Sequence, residues 1–223
     1  MTDRQYMHNR RTHARIAGAA FPILLLALGL SPGAAGAAEA PSSCEVTRLV
    51  GPATVERAGA SIPLSPNVLL YQEDRIVTGE AARVEIRCED GSIVVVGDRS
   101  SVSLATFATP PTQRSGWVGV LSMIEGILRV TLPSRNRWNR LETVTETAVA
   151  SARSTAWIVD ARRDTTGVFA IEGRVRVVGR TAPGEVTLTV GQGTDVRRGA
   201  APTPPVTWGR PRVINVLERT SLP

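Results

Sequence analysis

Between Ala82 and Glu89 the sequence alternates strictly, with Ala82, Val84, Ile86 and Cys88 at one parity and Arg83, Glu85, Arg87 and Glu89 at the other. Successive side chains of a β-strand point to opposite faces, so this pattern predicts a half-buried strand with a charged outer face. Asp90-Gly91 follows, the pair that tolerates positive φ in a tight hairpin, and Ser92 to Val96 supplies the return strand. Cys88 falls on the inward face.

The same signals recur along the chain. Val168 to Ile171 leads through Glu172-Gly173 into the alternating Arg174-Val175-Arg176-Val177-Val178, which predicts a second hairpin. Val186, Leu188 and Val190 alternate with Thr187 and Thr189, and Gly191-Gln192-Gly193 turns the chain into Thr194-Asp195-Val196. Further strands are expected at Thr54–Glu56, Arg75–Val77, Val102–Ala105, Val118–Ile124, Ile127–Leu132 and Ala156–Ala161. Short strands at regular spacing with Gly and Asp turns predict an all-β fold, an antiparallel sandwich or roll of short strands and hairpins. Only Val213 to Glu218 has the makings of a helical turn or two. Ala108–Ser115, with Pro110-Pro111, and the Pro-rich Ala200–Pro205 interrupt the strand pattern.

Upstream of this region, Arg4, Arg10, Arg11 and Arg15 precede an apolar run from Ile16 to Leu30, which is followed by Ser31-Pro32-Gly33 and the small residues Ala34 to Ala38. That is the plan of a secretory signal peptide, with cleavage expected after Ala37 in Ala35-Gly36-Ala37. The run holds 15 residues and is broken by Gly18, Pro22 and Gly29. It falls short of the roughly 20 apolar residues that span a bilayer. Cys44 lies well beyond the run, behind Pro41-Ser42-Ser43, and does not make a lipobox.

All 26 basic residues are arginines, and the two histidines, His8 and His13, both lie in the leader. A mature chain without lysine or histidine has no P-loop lysine, no Schiff-base amine, no histidine-activated serine or cysteine and no imidazole metal ligand. Removing residues 1–37 takes four arginines and Asp3 from the 26 basic and 20 acidic residues, leaving 22 against 19, a net charge of +3. The strongly basic isoelectric point is thus an arginine effect and does not point to nucleic acid. Cys44 and Cys88, an even pair in an exported chain, read as one structural disulfide.

The carboxylate pairs Glu73-Asp74 and Glu89-Asp90 could be imagined as the acid and base of a hydrolase, but both sit at turn boundaries, where turn chemistry accounts for them. Ser92, Ser100, Ser101 and Ser154 lie in no nucleophile elbow, and Gly191-Gln192-Gly193 has no following helix to present to a phosphate. One segment stands apart: Ser134-Arg135-Asn136-Arg137-Trp138-Asn139-Arg140 sets Arg135, Arg137 and Arg140 around Trp138 in a non-periodic stretch. Such a loop could hold an anionic or glycan ligand by bidentate guanidinium bonds and stacking on the indole, or could be a solvated loop whose tryptophan covers the core edge. No metal site and no cofactor is expected.

Glu73-Asp74-Arg75-Ile76-Val77-Thr78-Gly79, followed by Asp90-Gly91-Ser92, resembles the FecR-domain family, whose members carry signals across the bacterial envelope. Gly126-Ile127-Leu128-Arg129 is similar to the family's mid-domain glycine strand. The run from Gly167 through Glu172-Gly173 to Val177 is similar to a later element, and Leu188-Thr189-Val190-Gly191-Gln192-Gly193 to the closing signature. The likeness covers Val46 to Arg198. Where the family shows Arg-Gly-Thr this chain has Arg153-Ser154-Thr155, which matters locally because positive φ is freely open only to glycine. Family regulators carry a cytoplasmic anti-sigma segment before a membrane helix, whereas 15 residues precede the apolar run here.

The resemblance therefore implies an exported, stand-alone domain, periplasmic or secreted, that engages another envelope component without chemistry of its own. The partner is expected to be an envelope protein or, through the Arg/Trp loop, a cell-envelope glycan. The expected boundaries are 1–37 for the leader, 38–45 for a loose N-terminal segment, 46–199 for the domain and 200–223 for a Pro-rich tail that either folds back or stays mobile.

Overall fold

A computed structural model of the protein describes residues 44–106, 117–135 and 138–223. The leader and the proline segment Ala108–Ser115 lie outside the described residues. Those described form seventeen strands and one helix. In chain order these are β1 (Cys44–Val50), β2 (Ala53–Arg57), β3 (Ala60–Pro63), β4 (Leu69–Leu70), β5 (Arg75–Thr78), β6 (Arg83–Cys88), β7 (Ile93–Val96), β8 (Ser101–Thr106) and β9 (Trp117–Thr131). They continue with β10 (Trp138–Val144), β11 (Ala148–Ala152), β12 (Ala156–Arg162), β13 (Thr165–Ala170), β14 (Arg174–Gly179), β15 (Glu185–Thr189), β16 (Gln192–Arg197), β17 (Val206–Thr207) and α1 (Arg210–Arg219).

The strands make two layers. One runs β4-β1-β6-β7-β9-β12-β13-β16-β17, the other β3-β2-β5-β8-β9-β10-β11-β14-β15. β9 belongs to both, because its first half pairs with β8 and β10 and its second half with β7 and β12. The switch falls at Gly126, with φ of 105° and no room for a side chain: a Cβ would stand 2.1 Å from the Ser100 hydroxyl. Two strands expected from the sequence on either side of this glycine are thus one 15-residue strand that changes layer.

The inward parities of both layers meet in one apolar core that includes Val46, Ile76, Val84, Ile86, Leu104, Leu121, Leu128, Trp157 and Val175. Each such side chain contributes about 1.5 to 3 kcal/mol when fully buried. Ala156 to Val159 are buried at every position because Trp157 and Val159 enter this core while Ile158 enters a second, smaller cluster on the outer face of the first layer.

The all-β architecture agrees with the sequence pattern, and the hairpin β6–β7 forms as expected, with Gly91 at φ 81° donating its N–H to the Cys88 carbonyl at 2.9 Å. Three details differ. The pair β9–β10 is parallel in an otherwise antiparallel set. The expected second hairpin is a corner: β13 pairs with β12 and β16 in the first layer, and β14 with β11 and β15 in the second. Gly173, at φ 62° and packed against Thr155, makes that corner, and the Thr155 hydroxyl donates to the Glu172 carbonyl. The N-terminal segment is held from Cys44 onward, since β1 lies between β4 and β6.

Cys44 and Cys88 are disulfide-bonded and directly opposite in the β1–β6 ladder, with Cα atoms 3.9 Å apart. The tail folds back. β17 extends the first layer, and α1, ten residues long with Pro211 in its first turn, exceeds the turn or two that its sequence alone predicts. Its isolated length is marginal for a helix, so tertiary contacts hold it.

Candidate functional site

Of the four residues singled out for ligand binding, Arg135 follows β9, and Trp138 and Arg140 belong to β10. Arg135 is exposed just past β9, where Pro133 approaches the Gly91 turn. Trp138 opens β10, its backbone paired with Trp117, so the expected loop gives way to a strand there. Arg140, about half exposed, pairs through Nε with Glu142 Oε1 at 2.7 Å. Arg137 and the side chain of Trp138 lie outside the described residues. The sequence reading missed β10 because Arg-Trp-Asn-Arg has no alternation of its own; its pairing with β9 makes the strand.

The acidic candidates are engaged in turns. Asp74 is 1% exposed and accepts hydrogen bonds from Arg57 Nε at 2.8 Å, Arg57 Nη2 at 2.7 Å and the Tyr71 backbone N–H at 2.8 Å. Arg57 also donates to the Leu69 carbonyl and lies over the Tyr71 ring, 4.3 Å from its centroid. This bidentate clamp ties β2 to the turn before β5. Glu73 is exposed, at φ 70°, and Asp90 accepts from the Ser92 N–H at 3.0 Å and hydroxyl at 2.9 Å.

The Thr78-Gly79 pair is also architectural. The Thr78 hydroxyl donates to the Gly97 carbonyl at 2.6 Å and accepts from the Ser100 N–H at 2.9 Å, and Ser100 Oγ in turn accepts from the Ile127 N–H at 2.9 Å. Ser154 stands at φ 52°, the left-handed region that a glycine would occupy without cost.

The outer face of the first layer carries a dense set of side-chain contacts among the described residues. On one half lies the tail. The Trp208 indole stacks on Phe169, with centroids 5.2 Å apart and planes inclined by 21°. Arg212 covers the Trp208 ring, its Cζ 3.4 Å from the centroid, and forms a bidentate pair with Asp195 at 2.8 and 2.5 Å. Val213, Val216 and Leu217, on one helical face, pack on the cluster of Ile127, Ile158 and Phe169. Arg219 Nε donates to Asp98 at 2.8 Å and its Nη1 to Asp160 at 3.4 Å. Burial alone would lower the Arg219 pKa, but the hydrogen bond to Asp98 and the charges of Asp160 and Asp98 outweigh it and raise it. Sequence reasoning missed this assembly; Gly167 and Gly193 were its one available signal, since a Cβ at either would strike Arg212 or Trp208.

On the other half, over β1, β6, β7 and the end of β9, no described tail residue supplies such pairs. Arg48, Arg83, Arg87 and Arg129 stand on the outer parity, around Glu85, with Ile93 and Val95 between them. Glu85 serves Arg48 at 3.7 Å and Arg87 at 3.9 Å, and its Oε1 also accepts the Thr47 hydroxyl at 2.8 Å.

Residues 74–176, from the Asp74 clamp to β14, match the family model described as FecR protein. No curated protein sequence matches the chain. Two crystal structures of candidate anti-sigma factors from Parabacteroides distasonis share the fold, with TM-scores of 0.51 and 0.50 at 14% identity. The superpositions cover 64% of this chain and 63% and 64% of those chains, so this chain spans less than two thirds of their length. Asp74 opens the segment that is similar to the FecR family, and the Thr78-Gly79 knot and the Gly126 layer switch both fall inside it.

Proposed function

We propose that this protein is a non-enzymatic interaction or sensing module of the periplasm, residues 46–199 forming its domain, which engages another component of the bacterial envelope. The observation that carries this reading is the FecR match over the structural heart of the domain. It is supported by the solved neighbours of similar fold, which are candidate anti-sigma factors. The disulfide favours an oxidising compartment. One carboxylate of each pair that a hydrolase could use is engaged in structure, Asp74 by Arg57 and Asp90 by Ser92.

Pull-down from envelope fractions tests the reading. A protein partner retained by the wild-type chain supports it. Retention on peptidoglycan or lipopolysaccharide, lost on replacing Arg135 and Arg140, would favour a glycan module instead. Turnover of a cell-wall substrate that vanishes in Asp74→Asn at unchanged fold would replace both with an enzyme. N-terminal sequencing of fractionated material is expected to find a start near Ala38.

A further inference from the structure

The outer face of the first layer already shows how it accepts a chain segment. Under the tail, the strands present acidic groups, Asp98, Asp160 and Asp195, together with apolar Ile127, Ile158 and Phe169. The tail answers with the opposite charges, Arg212 and Arg219, and with Trp208, Val213, Val216 and Leu217. Charge is thus complementary and apolar contact continuous across that half.

On the other half arginines outnumber carboxylates, with Arg48, Arg83, Arg87 and Arg129 set against Glu45 and Glu85 on the outer parity. Arg83 and Arg129 make no ion pair or side-chain hydrogen bond among the described residues, and Arg83 Nε is buried without a partner. Val95, 6% exposed, lies opposite Arg129 in the β7–β9 register and opposite Glu85 in the β6–β7 register. Arg48 and Arg87 are about half exposed and share Glu85 at long range. Toward the hairpin end, Arg87 also lines an open cleft of about 440 Å³ with Leu69, which is 46% exposed, and with Glu45, Glu89, Gly91 and the disulfide. Other arginines buried as deeply, such as Arg57 and Arg219, find close carboxylates. Arg83 and Arg129, without counterions among the described residues and beside apolar Val95, are the complement of a segment that carries carboxylates and apolar side chains.

We infer that the open half of this face, centred on Arg83 and Arg129, docks an acidic, apolar-containing segment of a protein partner, as the covered half docks the chain's own arginine-bearing tail. The inference rests on the interaction-module reading and names the chemistry of its partner. The Arg83 and Arg129 pair supplies the charge, and the cleft at Leu69 receives an apolar side chain.

The test uses the full mature chain and a fluorescein-labelled ten-residue peptide alternating glutamate with valine, with an arginine-for-glutamate peptide as control. The acidic peptide should bind, the basic one should not, and binding should weaken as salt rises. Loss of two charge-assisted contacts in Arg83→Gln/Arg129→Gln should weaken it about tenfold or more, while Arg135→Ala/Arg140→Ala leaves it unchanged. Glutamine keeps a stem over Val95, so melting temperature separates lost binding from lost folding. Equal binding by the Arg83→Gln/Arg129→Gln variant would overturn the proposal. So would displacement of the peptide by millimolar inorganic phosphate, which would mark a simple anion site, or arginine-dependent sedimentation with phosphatidylglycerol vesicles in place of peptide binding. A photo-cross-linking residue at Ile93, and another at Arg135, then divide the two levels in cells. A cross-linked protein with an acidic segment, captured from Ile93 and lost in the Arg83→Gln/Arg129→Gln background, supports the inference. Capture from Arg135 alone sinks this face and spares the module; capture from neither sinks both.

Discussion

Trp208 lies flat on Phe169, 5.2 Å between centroids, in a slot that exists because residue 193 is glycine: a Cβ there would stand 2.2 Å from the indole. The closing strand and the tail are therefore one packing unit. Trp208→Ala should cost about 3 kcal/mol or more, and Gly193→Ala a comparable amount by expelling the same ring. Because both act through one contact, the double variant should cost clearly less than the sum, as chemical denaturation of the four proteins would show.

Asp74→Ala should be among the most destabilising single changes, at about 3 kcal/mol, because it removes the one carboxylate that the Arg57 guanidinium and the Tyr71 N–H share. The measurement is the denaturation midpoint. A hydrolase reading would instead have this variant folded and inactive.

Replacing Cys44 and Cys88 by alanine should cost about 2 to 4 kcal/mol, since the bond closes a loop across a separation of 44 residues. Hydrogen exchange should rise first in β1 and β4, whose ladders meet at Cys44. Mass spectrometry of periplasmic material should find no free thiol.

Ser154 holds a left-handed backbone at φ 52°. Ser154→Val should therefore cost about 1 to 3 kcal/mol, because a β-branched side chain tolerates that conformation least. Thermal unfolding of the valine and glycine variants compares them directly, with glycine expected to be the more stable.

Arg219 anchors the end of α1 to Asp98 and Asp160, and its pKa is raised in the folded protein. A cation with a raised folded-state pKa contributes stability that is fully present below its ordinary value and is lost only as pH climbs through the folded one. The stability difference between wild type and Arg219→Gln should accordingly stay flat from about pH 6 to 10, which denaturation across that range would verify.

How much of this was legible beforehand depended on whether a feature is local. Parity along Ala82–Glu89 and the Asp90-Gly91 turn marked β6, β7 and the inward cysteine, because alternation and turn dihedrals are properties of adjacent residues. The glycines at 126, 173 and 193 were visible as turn or signature residues, but their roles were not. Which layer a strand joins is invisible in the local pattern, since β13 and β14 follow each other across Gly173 yet pair in opposite layers.

The sequence by itself therefore determined the strand class, the register of the local hairpin and the absence of lysine and mature-chain histidine chemistry. Only the tertiary structure decided that β9 bridges the layers, that Asp74 is a buried clamp, and that one face is divided between an occupied acidic half and an open arginine half. Those outcomes depend on residues far apart in the chain, such as Arg219 with Asp98 and Arg129 with Val95, whose meeting is set by strand pairing and burial over the whole domain.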